Sequence, residues 1–396
     1  MRLLHTSDWH LGQNFMGQSR AKEHKAFLGW LLKIIKEQKI DVLVVAGDIY
    51  DTGTPPNYAR QIYYNFLKEL ALLQSLTTTI ITAGNHDSIT TLHASKELLE
   101  LLNIHVITTG GKSEEELIPI YKNKKLEAII CAVPFLRDTI VRDSLSGETI
   151  SQKELLYNQG IKAHYQNLYH KALKLQDKQA IPIIATGHLT TVGSRSSDSE
   201  REIYIGGKLD IGGNYLGEMF DYVALGHLHI NQKVGSEHVR YSGSPIPLSF
   251  SESTNNKKVN IVSFDGVDIS VEPLDIPQTR TLICIKGSGE SVQKSLSQIE
   301  DKSAWIEVFI QDDNPTYAHT LIREVASKLG LTLLAVKIEK TQKELQAKEL
   351  DAVSLHELTV TEVFAKRLQQ EELQSESLRK ELLETFQKVV AEVENA

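Results

Sequence analysis

The side chains able to do chemistry gather in five segments: Asp8-Trp9-His10, Gly47-Asp48, Gly84-Asn85-His86-Asp87, Gly187-His188 and Gly226-His227-Leu228-His229. Together they offer carboxylates, an amide and several imidazoles. Such a mixture of oxygen and nitrogen donors suits manganese, iron or zinc better than calcium. A carboxylate such as Asp48 can bridge two cations, one on each oxygen. In extended chain Asp8 and His10 project to the same side, and so do His227 and His229. Singly these segments are ordinary. Asn and Asp favour turns, and a histidine after a strand is commonly a core residue with its hydrogen bonds met. Their repetition points to metal chemistry, because each closes an apolar run of strand type.

Those runs are the elements that would position the site. Val42–Ala46 is wholly apolar, as in a strand buried on both faces. Gly47 ends it, and Asp48 lies just past its carboxyl end, where open α/β sheets place their ligands. Arg2–Thr6 and Ile80–Ala83 share that grammar. Helical spacing over Ala21–Glu37 and Tyr58–Leu73 separates them, and a further helix is predicted over Ala94–Leu102. This βαβα alternation predicts a mainly parallel, layered α/β sheet. Further strands are predicted at Ala128–Val133, Ile183–Thr186 and Tyr222–Leu225, with a long helix over Lys153–Leu175. Thr191–Arg201 is Ser-rich, has no periodicity and is predicted to be loop. Asp265-Gly266 marks a hairpin near the end of this region. A boundary is expected near Pro273–Pro277, followed by a small βαβαβ unit and, from about Gln342, a Glu-, Lys-, Gln- and Leu-rich helical tail. The predicted organisation is therefore residues 1–275 for the chemistry, 276–341 for a small α+β domain and 342–396 for a helical segment.

The chain has 396 residues and a formal net charge of −8. That length accommodates two or three domains. The charge excludes a basic nucleic-acid binder in bulk, so phosphate contacts would need local patches or bound cations. Cys131 and Cys284 each sit in an apolar run and are expected to be buried, reduced thiols. With no signal peptide and no apolar segment of membrane-spanning length, the expected location is cytoplasmic, without membrane attachment.

The five segments resemble the signature of the calcineurin-like metallophosphoesterases. Three further stretches, His188–Thr191, Ser197–Ile205 and Tyr241–Ser249, narrow the resemblance to the SbcD family, the nuclease subunits of SbcCD complexes. The resemblance spans the chain and is weaker beyond about Glu252. It implies an α/β fold with a two-sheet β-sandwich flanked by helices, a small α+β capping domain and a C-terminal helical tail. It also implies two divalent metal ions per chain, with manganese the expected ion. Asp8, His10, Asp48 and His229 would hold one, Asp48, Asn85, His188 and His227 the other, and Asp48 would bridge them. His86 would face the scissile phosphate as a catalytic acid, oriented by Asp87. Where relatives often carry a second phosphate-facing histidine, this sequence has Asp51. The cations would activate a water for in-line attack on phosphorus.

From the residues alone the substrate is a phosphoester and no more. DNA enters through the resemblance, with exonuclease action on double strands and endonuclease action on single strands or hairpins, in repair, recombination and replication. A metallophosphoesterase acting on a nucleotide or small phosphodiester stays open, as does a non-enzymatic scaffold, although every ligand position is filled. Arg137, Arg142, Arg195, Arg201, Lys208 and Arg240 fall near the motifs and are candidate contacts to DNA phosphates. The resemblance further implies a homodimer, paired through Tyr58–Leu73, and an SbcC-type ATPase with a coiled coil as partner. The tail would dock on it through Val363, Phe364 and Leu368 and through Leu378, Leu382, Phe386 and Val389, each set on one helix face.

Overall fold

The structure, a computed structural model, describes residues 1–142, 149–200, 211–266, 268–312 and 315–338, together with 382, 385 and 386. Its centre is the strand Val42–Ala46, every residue of which is buried. Alternate residues go to opposite faces, as the pleat requires. Leu43 and Val45 join an apolar cluster on one side, and Val42 and Val44 join another on the other side.

This strand belongs to a six-stranded sheet in the order Asp268–Asp275, Lys258–Asp265, Arg2–Thr6, Val42–Ala46, Thr78–Thr82, Ile104–Ile107. A second six-stranded sheet runs Gln232–Val234, Ser236–Tyr241, Tyr222–Gly226, Ile183–His188, Lys125–Cys131, Leu117–Lys122. In both, the inner strands pair parallel. Two tight hairpins return the chain beside itself at antiparallel edges, whereas Lys258–Asp265 is also antiparallel to Arg2–Thr6 and the edge strand Ile104–Ile107 pairs parallel. One hairpin is the expected Asp265-Gly266 turn. The other turns at Asn123-Lys124, both with positive φ, the geometry that matches strand twist in a two-residue loop. Five short strands, Asn14–Phe15, Gln18–Ser19, Ile104–Ile107, Leu117–Lys122 and Gln232–Val234, escape the sequence pattern. The predicted helix Ala94–Leu102 divides into Ile89–His93 and Lys96–Glu100.

Three apolar layers hold the sheets in place. The helices Ala21–Glu37 and Asn57–Ala71 cover the outer face of the first sheet with Phe27, Leu31, Ile35, Phe66 and Leu67. The helix Ile150–Gln176 covers the outer face of the second with Ile161, Tyr165 and Leu168. Between the sheets, Leu3, Val44 and Ile80 share one cluster with Ile130, Ile184 and Ala224. Full burial of each such side chain contributes about 1.5–3 kcal/mol. The carboxyl ends of both sets of parallel strands therefore reach the same edge of the molecule.

A separate unit follows. Leu282–Gly287, Trp305–Ile310 and Thr332–Ile338 form a parallel sheet carrying the helices Gly289–Ser297 and Pro315–Lys328, with its own apolar cluster. It meets the larger unit at Phe15, Phe250, Leu282 and Trp305. The Arg20 guanidinium lies against both the Phe15 and Trp305 rings, and Arg280 pairs with Glu23 at 2.5 Å.

Cys131 is buried as expected, but Cys284 is exposed, on a side of the small sheet that no helix among the described residues covers. No helix among the described residues is long and apolar enough to cross a membrane. In the tail, Leu382 and Phe386 are helical, whereas Val363, Phe364, Leu368, Leu378 and Val389 lie outside the described residues.

Candidate metal centre

The loop after the first strand is pinned by Trp9, not by simple alternation. Its ring is fully buried against Phe27 and Phe66, and its indole N–H donates to Thr6 Oγ1 at 3.1 Å. With Trp9 in the core, Asp8 and His10 are thrown to the opposite side. Both have positive φ, at 53° and 45°, so the extended geometry expected for Asp8-x-His10 is replaced by left-handed backbone. Asp48 (50°) and His227 (92°) are also left-handed. Such strain concentrates where a site dictates the conformation. The backbone N–H of His10 donates to the Asp48 carbonyl at 3.0 Å, tying the first loop to the second.

The donors converge. Asp8, His10 and His229 form one group, His10, Asp48 and His86 a second, and Asp48, His188 and His227 a third, with one donor atom per residue all within 4.8 Å of one another in each group. Asn85 joins the third, its Oδ1 lying 3.0 Å from His188 Nε2 and 3.2 Å from His227 Nδ1. Asp48 stands where the groups meet, its Oδ2 at 3.3 Å from His188 Nε2 and 3.6 Å from His10 Nε2. Close approach is what Gly84 permits, because a Cβ there would run into the Asp48 carboxylate.

The electrostatics fit a cation site. Asp8, His10, Asp48, His188, His227 and His229 are all buried. The His10 Nε2 has no hydrogen-bond partner although it faces two carboxylate-bearing groups. Burial alone would lower the pKa of His188, but the Asp48 charge and hydrogen bond outweigh it and push it up to about 9. Burial would raise Asp48, yet His188 and then His10 hold it well below the usual carboxylate range. His227 is held well below its ordinary value by burial and by the charge of His188. Positive charge is thus already drawn to Asp48, and divalent ions would replace the protons.

Two expectations change at the catalytic loop. Asp87 does not hold the His86 ring: its carboxylate accepts backbone N–H groups from Gly84 (2.9 Å), Tyr50 (2.9 Å) and Ile49 (3.1 Å). It knits the loops that carry Asp48 and Asn85. The His86 Nδ1 instead meets the Asp51 carbonyl at 2.7 Å. Asp51 directs its carboxylate to His10 Nδ1 at 3.2 Å.

Of the candidate phosphate contacts, Arg137 comes nearest the loop, donating to the Asp87 carbonyl at 3.4 Å from an exposed position. Arg195 is exposed beside Gln232, which binds its backbone. Arg142 is committed to both oxygens of Asp138, at 2.5 and 2.6 Å, and Arg240 to Glu237, so their charges are met within the chain. Arg201 and Lys208 lie outside the described residues. Four residues with no role evident from the sequence stand around His229: Ser199, Glu200, Glu252 and Lys257. The stretch containing Ser199 and Glu200 carried the family resemblance, and that was their one signal.

The sequence also matches known families and proteins. Residues 1–231 match the calcineurin-like phosphoesterase family, and residues 278–372 match the type 5 capsule protein repressor C-terminal domain. The chain is 41% identical over 353 residues to the SbcD component of the SbcCD nuclease of Escherichia coli K12, covering 87% of this chain and 86% of that protein. It is 34% identical to the SbcD component of the Rhodobacter capsulatus SbcCD nuclease, covering 71% and 70% of the two chains. The corresponding Bacillus subtilis protein is 33% identical, with 78% and 79% covered. The chain therefore belongs to the calcineurin-like phosphoesterase family, in its SbcD branch.

Proposed function

We propose that this chain is a manganese-dependent DNA nuclease that works beside an SbcC-type ATPase. The observation that carries the reading is Asp48, a buried carboxylate shared between two groups of donors at the meeting edge of two sheets. Asp8, His10, Asp48 and His229 would hold one cation, and Asp48, Asn85, His188 and His227 the other. Bound there, divalent ions supply charge that offsets the phosphate oxygens and lowers the pKa of water.

This chain's own residues do the rest. The Asp51 carbonyl can only accept, so His86 carries a proton on Nδ1, and Nε2 is the atom that deals with the leaving oxygen. Asp87 keeps the Gly84–Asp87 turn against the Asp48 loop, which holds Asn85 in reach of His188 and His227. Arg137, exposed beside the same turn, is placed to meet a DNA phosphate.

The two sheets correspond to the sandwich of this family, residues 276–341 to a cap and residues 342–396 to the docking segment for the ATPase. Two copies pair through the helix Asn57–Ala71, on which Tyr58 and Tyr64 are exposed while Ile62, Tyr63, Phe66 and Leu67 fill the core.

The test compares labelled hairpin and linear DNA with a small chromogenic phosphodiester, each with manganese, magnesium or chelator, and with or without the ATPase. Manganese-dependent DNA cleavage that the ATPase stimulates is expected. Rapid turnover of the small diester with intact DNA would instead establish a small-molecule phosphoesterase.

A further inference from the structure

His229 differs from its neighbours in how its ring is held. The Nδ1 of His10 faces the Asp51 carboxylate and that of His188 faces the Ala46 carbonyl, groups that can only accept. The Nδ1 of His229 meets a hydroxyl first, Ser199 Oγ at 2.6 Å, with the Glu252 carboxylate farther off at 3.5 Å. A hydroxyl donates or accepts, so alone it fixes no tautomer. Glu252 removes the ambiguity. Its Oε1 accepts the Ser199 hydroxyl proton, which leaves the Ser199 oxygen nothing but lone pairs to offer His229. The His229 Nδ1 must then carry the ring proton, and the Nε2 lone pair is presented toward Asp8 and His10.

We propose that Ser199 is a positioning residue for the cation that Asp8, His10 and His229 would hold, at the end of a line Lys257–Glu252–Ser199–His229; this rests on the two-metal reading above. The line is assembled from separate elements. Ser199 comes from the loop over residues 191–200, Glu252 ends the 3-10 turn Phe250–Glu252, and Lys257 precedes the strand Lys258–Asp265. Glu252 is fully buried. The Lys257 ammonium donates to Glu252 Oε2, to Ser244 Oγ at 2.8 Å and to the His229 carbonyl at 3.0 Å. A buried carboxylate so matched stays an acceptor, which is what the direction of the Ser199 bond requires. Glu200 reinforces the arrangement, accepting the His229 backbone N–H at 2.8 Å while holding Ser197. Groups that orient a ligand in this way govern both its tautomer and its affinity for the ion.

The experiment uses full-length protein as wild type, Ser199→Ala and Ser199→Thr. Manganese is titrated into each by calorimetry, and the ring tautomer of His229 is read in the metal-free proteins by long-range 15N NMR, with His229→Gln used for assignment. Ser199→Ala should weaken one manganese step by about 10- to 100-fold and leave the other unchanged. It should also convert His229 from the Nδ1–H form to a mixture, and Ser199→Thr should restore both readouts. Wild-type isotherms in Ser199→Ala, equal weakening of both steps, or an unchanged His229 tautomer would each overturn the proposal. Failure of the two-metal reading would look different, since wild type itself would then bind fewer than two ions, and the metal-free tautomer would still decide the role of Ser199.

Discussion

At the residue scale, the proposed chemistry divides between groups that would hold metal and one that would react. His86 belongs to the second group of donors yet has its Nδ1 committed to the Asp51 carbonyl. If it serves the leaving oxygen, His86→Gln should leave metal content and DNA binding near wild type and lower the cleavage rate by about 10²- to 10⁴-fold. Metal analysis alongside single-turnover cleavage checks this, and a parallel loss of metal would make His86 a ligand. The ligand types were legible in the sequence because each ended an apolar run. Their backbone was not, since Asp8, His10, Asp48 and His227 take left-handed φ that extended-chain geometry does not suggest. Nor was the part played by Asp87, which accepts from Gly84 in its own loop and from Ile49 and Tyr50 in a loop distant in sequence.

At the scale of elements, the site exists because two sheets end together. His5 helps to register them. From the first sheet it reaches the second, its Nδ1 at 2.9 Å from the Tyr222 hydroxyl and its Nε2 at 3.1 Å from the Leu225 carbonyl. Burial lowers its pKa to about 3, and burial with the Arg20 charge does the same for His24 on the helix Ala21–Glu37. Both start from 6.5, so between pH 6.5 and about 3 the unfolded chain takes up a proton at each that the folded chain does not. Stability is therefore fully present above pH 6.5 and is lost as pH falls, by about 1.4 kcal/mol per pH unit for each group. His24→Leu should flatten that dependence by about one proton, measured by denaturant unfolding from pH 7 to pH 4 in chelator. An unchanged slope would count against a neutral, buried His24. The long strands and helices could be read from periodicity, because burial on one or both faces writes it into the sequence. The short edge strands could not, since Leu117–Lys122 and Gln232–Val234 are placed by their partners and carry little pattern of their own.

At the scale of the whole molecule, the two described units are distinct. Each unit has its own apolar cluster, and their seam is a small one around Phe15, Trp305 and Arg20. Truncation before Ser354 should then preserve thermal unfolding of the larger unit and manganese-dependent cleavage of simple DNA, while abolishing co-purification with the ATPase and its stimulation by ATP. Retention of the ATPase at normal stoichiometry would remove the docking role from residues 354–396. The central claim is narrower: two cations share Asp48. Counting manganese bound per chain in wild type and in Asp48→Ala tests it most directly. The account predicts two ions in wild type and loss of both in the variant, and two ions retained by Asp48→Ala would contradict it.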